Sequence, residues 1–241
     1  MLCVACVPGA CYNVAMPNDV PASLYTFRIP GLDPEATPIV GLGIGLAGLF
    51  LGLRPRLVPW PLALTAAAAV LYRDPERATP MDDGALFAPA DGLVAGTAEL
   101  YEHRFLHTDA LQLSIDVSPL DVAVQRSPAT GTIEYLDHRM SDVQAPWRWH
   151  IRGGRAGEQL FVGIATDWGP LLLQITAGTL TAKMTPLVTS GDRVHAGDRI
   201  AVVRFGCRVD LLAPRDLIEW KPAPGARLRA GVSPIGQVVP L

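Results

Sequence analysis

The sequence predicts a mainly β fold, a sandwich- or barrel-like domain, preceded by an N-terminal hydrophobic helical hairpin. Three observations carry that expectation. Two uncharged apolar runs follow one another between residues 38 and 72. Beyond Arg73 the chain breaks into short β-prone runs separated by Asp-Gly, Gly-Gly and Gly-Asp pairs. The 22 prolines and 23 glycines are spread along the whole length, which suits many turns better than long helices.

Residues 1–36 read as an irregular, proline-punctuated N-terminal extension. Three of the four cysteines fall here, at Cys3, Cys6 and Cys11. Cys3-x-x-Cys6 matches a metal or redox pair in spacing, but it has no second pair and no neighbouring histidines, so no metal site is assigned. The segment also lacks the basic start of a signal peptide.

The hairpin is expected over 37–73. "PIVGLGIGLAGLFLGL" (38–53) and "LVPWPLALTAAAAVLY" (57–72) each hold 16 uncharged residues. As helices they are ~24 Å long, short of the ~20 residues that a full span requires. Apolar residues lie all round the first helix rather than along one stripe, which favours lipid over a soluble core. Arginines flank the second run on both sides and fix no orientation. A peripheral or re-entrant hairpin on the cytoplasmic face of the cell membrane reconciles these features. The overall composition agrees, with 49% hydrophobic and only 18% charged residues. A net charge of −3 leaves no basic footprint for nucleic acid.

The third region, 74–241, is the β-rich one. "FAPADGLVAGTAEL", "ALQLSIDVSPLDVAVQ", "GTIEYLDH", "QLFVGIATDWGPLLLQITAG", "TLTAKMTPLV" and "RIAVVRFGCRVDLLAP" read as strands. The doubled Gly-Asp-Arg at 191–193 and 197–199 reads as two turns flanking a short strand. The stretch 145–158, with Trp147, Arg148, Trp149, Arg152 and Arg155, reads as a loop. Its composition fits a membrane interface or an anionic headgroup, and equally an ordinary surface loop. Gly206-Cys207 interrupts the last long apolar run. A glycine there has no packing value unless the backbone must bend or be approached closely.

At "YRDPERATP", "APADGLV", "SPLDVAVQRSPATGTIEY" and "RFGCRVDLLAP" the chain resembles the short bacterial and archaeal form of phosphatidylserine decarboxylase. Four motifs in the right order, from the hairpin to about Ile235, carry the resemblance. It implies a proenzyme in which a serine after glycine attacks the glycine carbonyl. Elimination then cuts the chain and leaves a pyruvoyl group on the C-terminal fragment. That group forms a Schiff base with phosphatidylserine, carbon dioxide leaves, and phosphatidylethanolamine is released.

Carried onto this sequence, the resemblance makes Cys207, Gly206 and Asp91 the catalytic residues. Asp121, Arg126 and Arg208 become the substrate-binding candidates, with a pyruvoyl cofactor derived from Cys207. Fragments 1–206 and 207–241 would remain associated. The implied partners are a phospholipid substrate and the membrane, and a homo-oligomer is compatible with both. Two positions depart from the family pattern. Cys207 stands in place of the serine, and a thiolate can make the equivalent attack. Ala123 stands in place of the histidine of the family's Asp-Val-His-Val-Asn-Arg, and loss of a general acid-base typically costs ~10²–10⁴ in rate. None of His103, His107, His138, His150 and His195 has an assigned family role. The alternative is therefore a degenerate relative that binds anionic lipid, or only processes itself, without turnover.

Overall fold

The structure is a computed structural model describing residues 31–33, 35–80, 84–140, 158–178 and 184–239. The three N-terminal cysteines and residues 145–157 of the tryptophan-arginine stretch lie outside the described residues.

Both apolar runs are helical. Helix α1 spans Ala36–Leu53, one 3-10 turn covers Pro55–Leu57, and α2 spans Pro59–Leu71. The arginine-proline linker forces the reversal, because Pro55 and Pro59 sit at helix starts where no amide partner is lost. The two helices meet closely. A side chain at Gly43 would collide with the Thr65 hydroxyl, which donates back to Pro61 O at 2.7 Å and stays satisfied in an apolar pair. α1 is long and apolar enough to cross a membrane, and only 17% of that stretch is buried. Leu42, Ile44, Leu51 and Leu64 are among the exposed side chains, the inverse of a soluble core helix.

Among the described residues fourteen strands follow: β1 (Ala85–Phe87), β2 (Gly92–Glu102), β3 (Thr108–Val117), β4 (Val124–Arg126), β5 (Gly131–Met140), β6 (Glu158–Thr166) and β7 (Gly169–Ala177), then β8 (Met184–Pro186), β9 (Arg193–Val194), β10 (Arg199–Val203), β11 (Cys207–Pro214), β12 (Ile218–Trp220), β13 (Arg227–Leu228) and β14 (Pro234–Val238). Eight of them form one curled half-barrel sheet in the order β13-β2-β3-β11-β7-β6-β5-β9. Two three-stranded sheets, β1-β14-β12 and β4-β10-β8, complete the domain.

Alternation sorts the large sheet into two faces. Leu113, Ile115, Leu173, Ile175, Val209 and Leu211 point into the main core and are fully buried. Their neighbours on the other face are polar near the start of β11 (Ser114, Thr176, Asp210) and apolar further along (Leu172, Leu212). The Gly-Asp-Arg repeat forms two turns around β9. Gly191 and Gly197 take positive φ, 96° and 87°. Asp192 and Asp198 each accept the backbone N–H three residues back, at 2.7 Å, the local bond that makes aspartate a turn former.

Candidate active site

β10 ends at Val203 and β11 begins at Cys207, so three residues connect two buried strands of different sheets. Two of them are left-handed: Phe205 at φ 67° and Gly206 at φ 87°. A side chain at Gly206 would come within 3.0 Å of Val117 O and 3.3 Å of Pro119 Cδ. Conformation and space therefore both demand glycine here. The Gly206 carbonyl accepts a bond from the Gly178 N–H at 3.2 Å. A backbone dipole is thus already aimed at the peptide bond that links Gly206 to Cys207.

Cys207 is a free cysteine, 4% exposed. Gln125 Nε2 lies 3.5 Å from its Sγ. Burial pushes the thiol well above its ordinary range, and the nearby Asp116 carboxylate adds to the rise. The thiol is held neutral at rest. β11 is the inner strand of the half-barrel, registered along its whole length with β3 (Cys207 opposite Val117, Pro214 opposite Ala110) and with β7 from Cys207 to Leu212.

Arg208 begins the polar row on the other face, directly opposite Asp116 on β3 and Thr176 on β7. Its Nε bonds Asp210 Oδ1 at 3.0 Å, and its Nη2 bonds Ser114 Oγ at 2.8 Å. Ser114 donates to Asp210 at 2.5 Å. Asp116 is different: its Oδ1 is buried and has no hydrogen-bond partner among the described residues. Burial raises its pKa above the ordinary carboxylate value, against the pull of Arg208 and with the help of Asp210. Asp116 and Gln125 carry no signal in the sequence: β3–β11 register sets Asp116 opposite Arg208, and Gln125 reaches Cys207 from β4 of another sheet.

The other expected residues fall in two places. Asp121 accepts the Ser118 N–H at 3.0 Å and Arg227 Nη2 at 2.7 Å, which shapes the turn whose Pro119 abuts Gly206. Asp91 makes a two-pronged pair with Arg77, at 2.5 and 2.7 Å, and accepts the Ala230 N–H at 2.8 Å. Arg126 is 5% exposed; it donates to Gly197 O at 2.8 Å and Pro75 O at 3.1 Å and pairs with Asp74 at 3.3 Å. Asp91 and Arg126 thus belong to a buried ionic layer that ties residues 74–77 to the sheet. The Arg126 N–H bonds Pro89 O at 2.7 Å, so this layer also braces β4, which carries Gln125. Ala123 is buried with Val122, Val124 and Val202, and its carbonyl accepts the Val203 N–H at 2.8 Å.

Comparisons with known proteins converge on one family. The family model described as phosphatidylserine decarboxylase matches residues 64–236. A phosphatidylserine decarboxylase proenzyme of Symbiobacterium thermophilum is 34% identical over 217 residues, covering 88% of this chain and 97% of the relative. One from Salinibacter ruber is 37% identical over 182 residues, 73% of this chain and 79% of the relative. A putative archaetidylserine decarboxylase proenzyme of Methanopyrus kandleri is 31% identical over 217 residues, 87% of this chain and 98% of the relative. No solved structure matches the chain.

Proposed function

We propose that this chain, which belongs to the phosphatidylserine decarboxylase family, cuts itself between Gly206 and Cys207 and then converts phosphatidylserine to phosphatidylethanolamine. The observation that carries the proposal is the scissile turn itself. A left-handed glycine with little room for a side chain presents a carbonyl, already bonded by the Gly178 N–H, beside a buried nucleophile.

The cleavage chemistry follows from those groups. Cys207 Sγ attacks the Gly206 carbonyl carbon, the C–N bond breaks, and the nitrogen of residue 207 takes up a proton. A thioester results. The Gly178 N–H faces the oxygen on which charge develops, the arrangement that stabilises acyl transfer. Loss of the α-proton of residue 207 then breaks the Cβ–S bond, and sulfur leaves on Gly206. The dehydroalanine left behind takes up water, releases ammonia and becomes the pyruvoyl cap. The residues present fit this outcome. Gln125 can support the sulfur, and the β11 ladders with β3 and β7 keep fragment 207–241 in place after the cut.

The pyruvoyl group supplies the electron-accepting carbonyl for decarboxylation. The chain's own side chains supply the rest. Arg208, at the start of the polar row, faces the anionic headgroup. Asp116 Oδ1 carries the proton that replaces carbon dioxide, because a carboxyl of raised pKa holds a proton nearer neutrality. Asp91, Arg126 and Asp121 are positioning residues in this scheme. Arg126 braces the strand of Gln125, Asp91 holds Arg77 and the Ala230 N–H, and Asp121 braces the turn under Gly206. The exposed apolar hairpin attaches the domain to the membrane that holds its substrate.

The test is incubation of the full chain in phosphatidylserine mixed micelles. Two fragments and release of phosphatidylethanolamine are expected. An intact chain and no product would overturn the reading. Fragments without product would leave a self-processing relative.

A further inference from the structure

The hairpin and the scissile turn are joined through one side chain. Residues 31–33 and 72–74 close the foot of the hairpin. Leu32 and Arg73 form a β-bridge, the Asp33 N–H bonds Tyr72 O, and the Asp74 N–H bonds Gly31 O, both at 2.9 Å. Arg204 reaches into this foot from the turn. Its Nη2 lies 2.5 Å from Asp33 Oδ2 and its Nη1 2.8 Å from Glu35 Oε2. Its guanidinium stands 4.8 Å over the Tyr72 ring. The Arg204 side chain is only 16% exposed, so two carboxylates and a ring face hold it together, and such contacts strengthen as water is excluded.

Arg204 is followed at once by Phe205, a bulky residue held left-handed at φ 67°. Phe205 is 37% exposed, and a bulky side chain at that φ is disfavoured. On the upstream side, the Val203 N–H is fixed to Ala123 O. Downstream, Cys207 is locked in β11. The turn is thus anchored at both ends by sheet and at Arg204 by the hairpin foot.

We propose that Arg204 is a positioning residue for self-cleavage: it uses the docked hairpin foot to hold Phe205 and Gly206 left-handed, with the Gly206 carbonyl on the Gly178 N–H. The hairpin foot and proenzyme processing are then coupled through one guanidinium. This inference rests on the self-cleavage reading above.

The experiment follows fragment formation by the full chain in micelles. Arg204→Ala is expected to slow cleavage about tenfold, the scale of a lost pre-organising contact. The paired change Asp33→Asn with Glu35→Gln is expected to slow it similarly, and combining all three to add nothing further. Phe205→Gly in the Arg204→Ala background is expected to restore the rate, because glycine adopts that φ freely; a purely structural arginine would not be rescued this way. Should Arg204→Ala fail to fold, Arg204→Lys is expected to fold and cleave at an intermediate rate. Cleavage of Arg204→Ala at the parent rate, additive effects, or no rescue by Phe205→Gly would each overturn the clamp while leaving self-cleavage intact. A parent chain that stays whole would overturn both.

Discussion

The Gly178 N–H donates to the Gly206 carbonyl at 3.2 Å, one step beyond the registered pair of Ala177 and Cys207. It points at the oxygen that must carry negative charge if Cys207 attacks. Removing one such donor typically costs ~10²–10³ in rate. Gly178→Pro is therefore expected to slow self-cleavage by about 10² or more, and Gly178→Ala, which keeps the N–H, to slow it far less. Fragment formation by gel and mass, with Tm as the folding control, checks this. Equal rates for the two variants would remove the donor from the mechanism.

Processing and turnover are expected to respond to pH in opposite directions. Burial and Asp116 push the Cys207 thiol up, so thiolate grows as pH rises, and self-cleavage accelerates through the neutral and alkaline range. Burial also raises Asp116, so the carboxyl needed as proton donor is lost as pH rises through that raised value, and turnover by processed enzyme falls. The same linkage acts on stability. The folded chain holds the Asp116 proton more tightly than the unfolded one. Its contribution is full below the unfolded pKa and is lost as pH climbs through the folded pKa. Asp116→Asn removes the repulsion on the thiol and also removes the donor. Cleavage at a given pH is expected to quicken, while turnover drops about 10²-fold. Parallel pH profiles for the two steps would contradict the assignment.

Much of this site was legible because its signals are local. Gly206-Cys207 announced a break in an apolar run, and the structure gives two left-handed residues there. The uncharged runs announced the helical hairpin, and the Gly-Asp-Arg repeat announced its two turns. The groups around Cys207 were not legible, because they come from β3, β4 and the end of β7, between 29 and 91 residues away in the chain. The packing of the β4-β10-β8 sheet beside the half-barrel brings Gln125 to Sγ, and the β3–β11 register sets Asp116 opposite Arg208. Motif reading assigns Asp91 to the nucleophile's chemistry, and the fold adds its hydrogen bonds to Arg77 and Ala230. An Asp-Gly pair in sequence carries no sign of which distant arginine it will hold.

Ala123 occupies the place of the family histidine, two residues before Gln125 on the segment entering β4. Ala123→His is expected to raise turnover of processed enzyme by about 10²-fold, the low end of what a placed proton carrier contributes. Phosphatidylethanolamine formation per mole of fragment 207–241 is the measurement. No gain in a fully processed sample would mean that Asp116 already serves that step.

The cysteine leaves a chemical mark that serine cannot. In the proposed cleavage the bond whose breaking separates the fragments is Cβ–S of residue 207, so sulfur departs with the acyl group of Gly206. Fragment 1–206 should end in a thiocarboxylate, and fragment 207–241 should begin with a pyruvoyl cap that blocks Edman sequencing. In Cys207→Ser the same route leaves a carboxylate. The freshly cut N-terminal fragments of parent and variant should therefore differ in mass by sulfur against oxygen, with identical C-terminal fragments. Slow hydrolysis would erase the difference and release sulfide, which a sulfide probe can follow. Cys207→Ala should stay whole. Cys207→Ser should cut at least as completely as the parent, because the Gly178 donor and the left-handed turn do not depend on the thiol. A C-terminal fragment that retains the Cys207 sulfur would point to ordinary hydrolysis of the thioester. It would leave an amine in place of the pyruvoyl group, and with it no means of decarboxylation through residue 207.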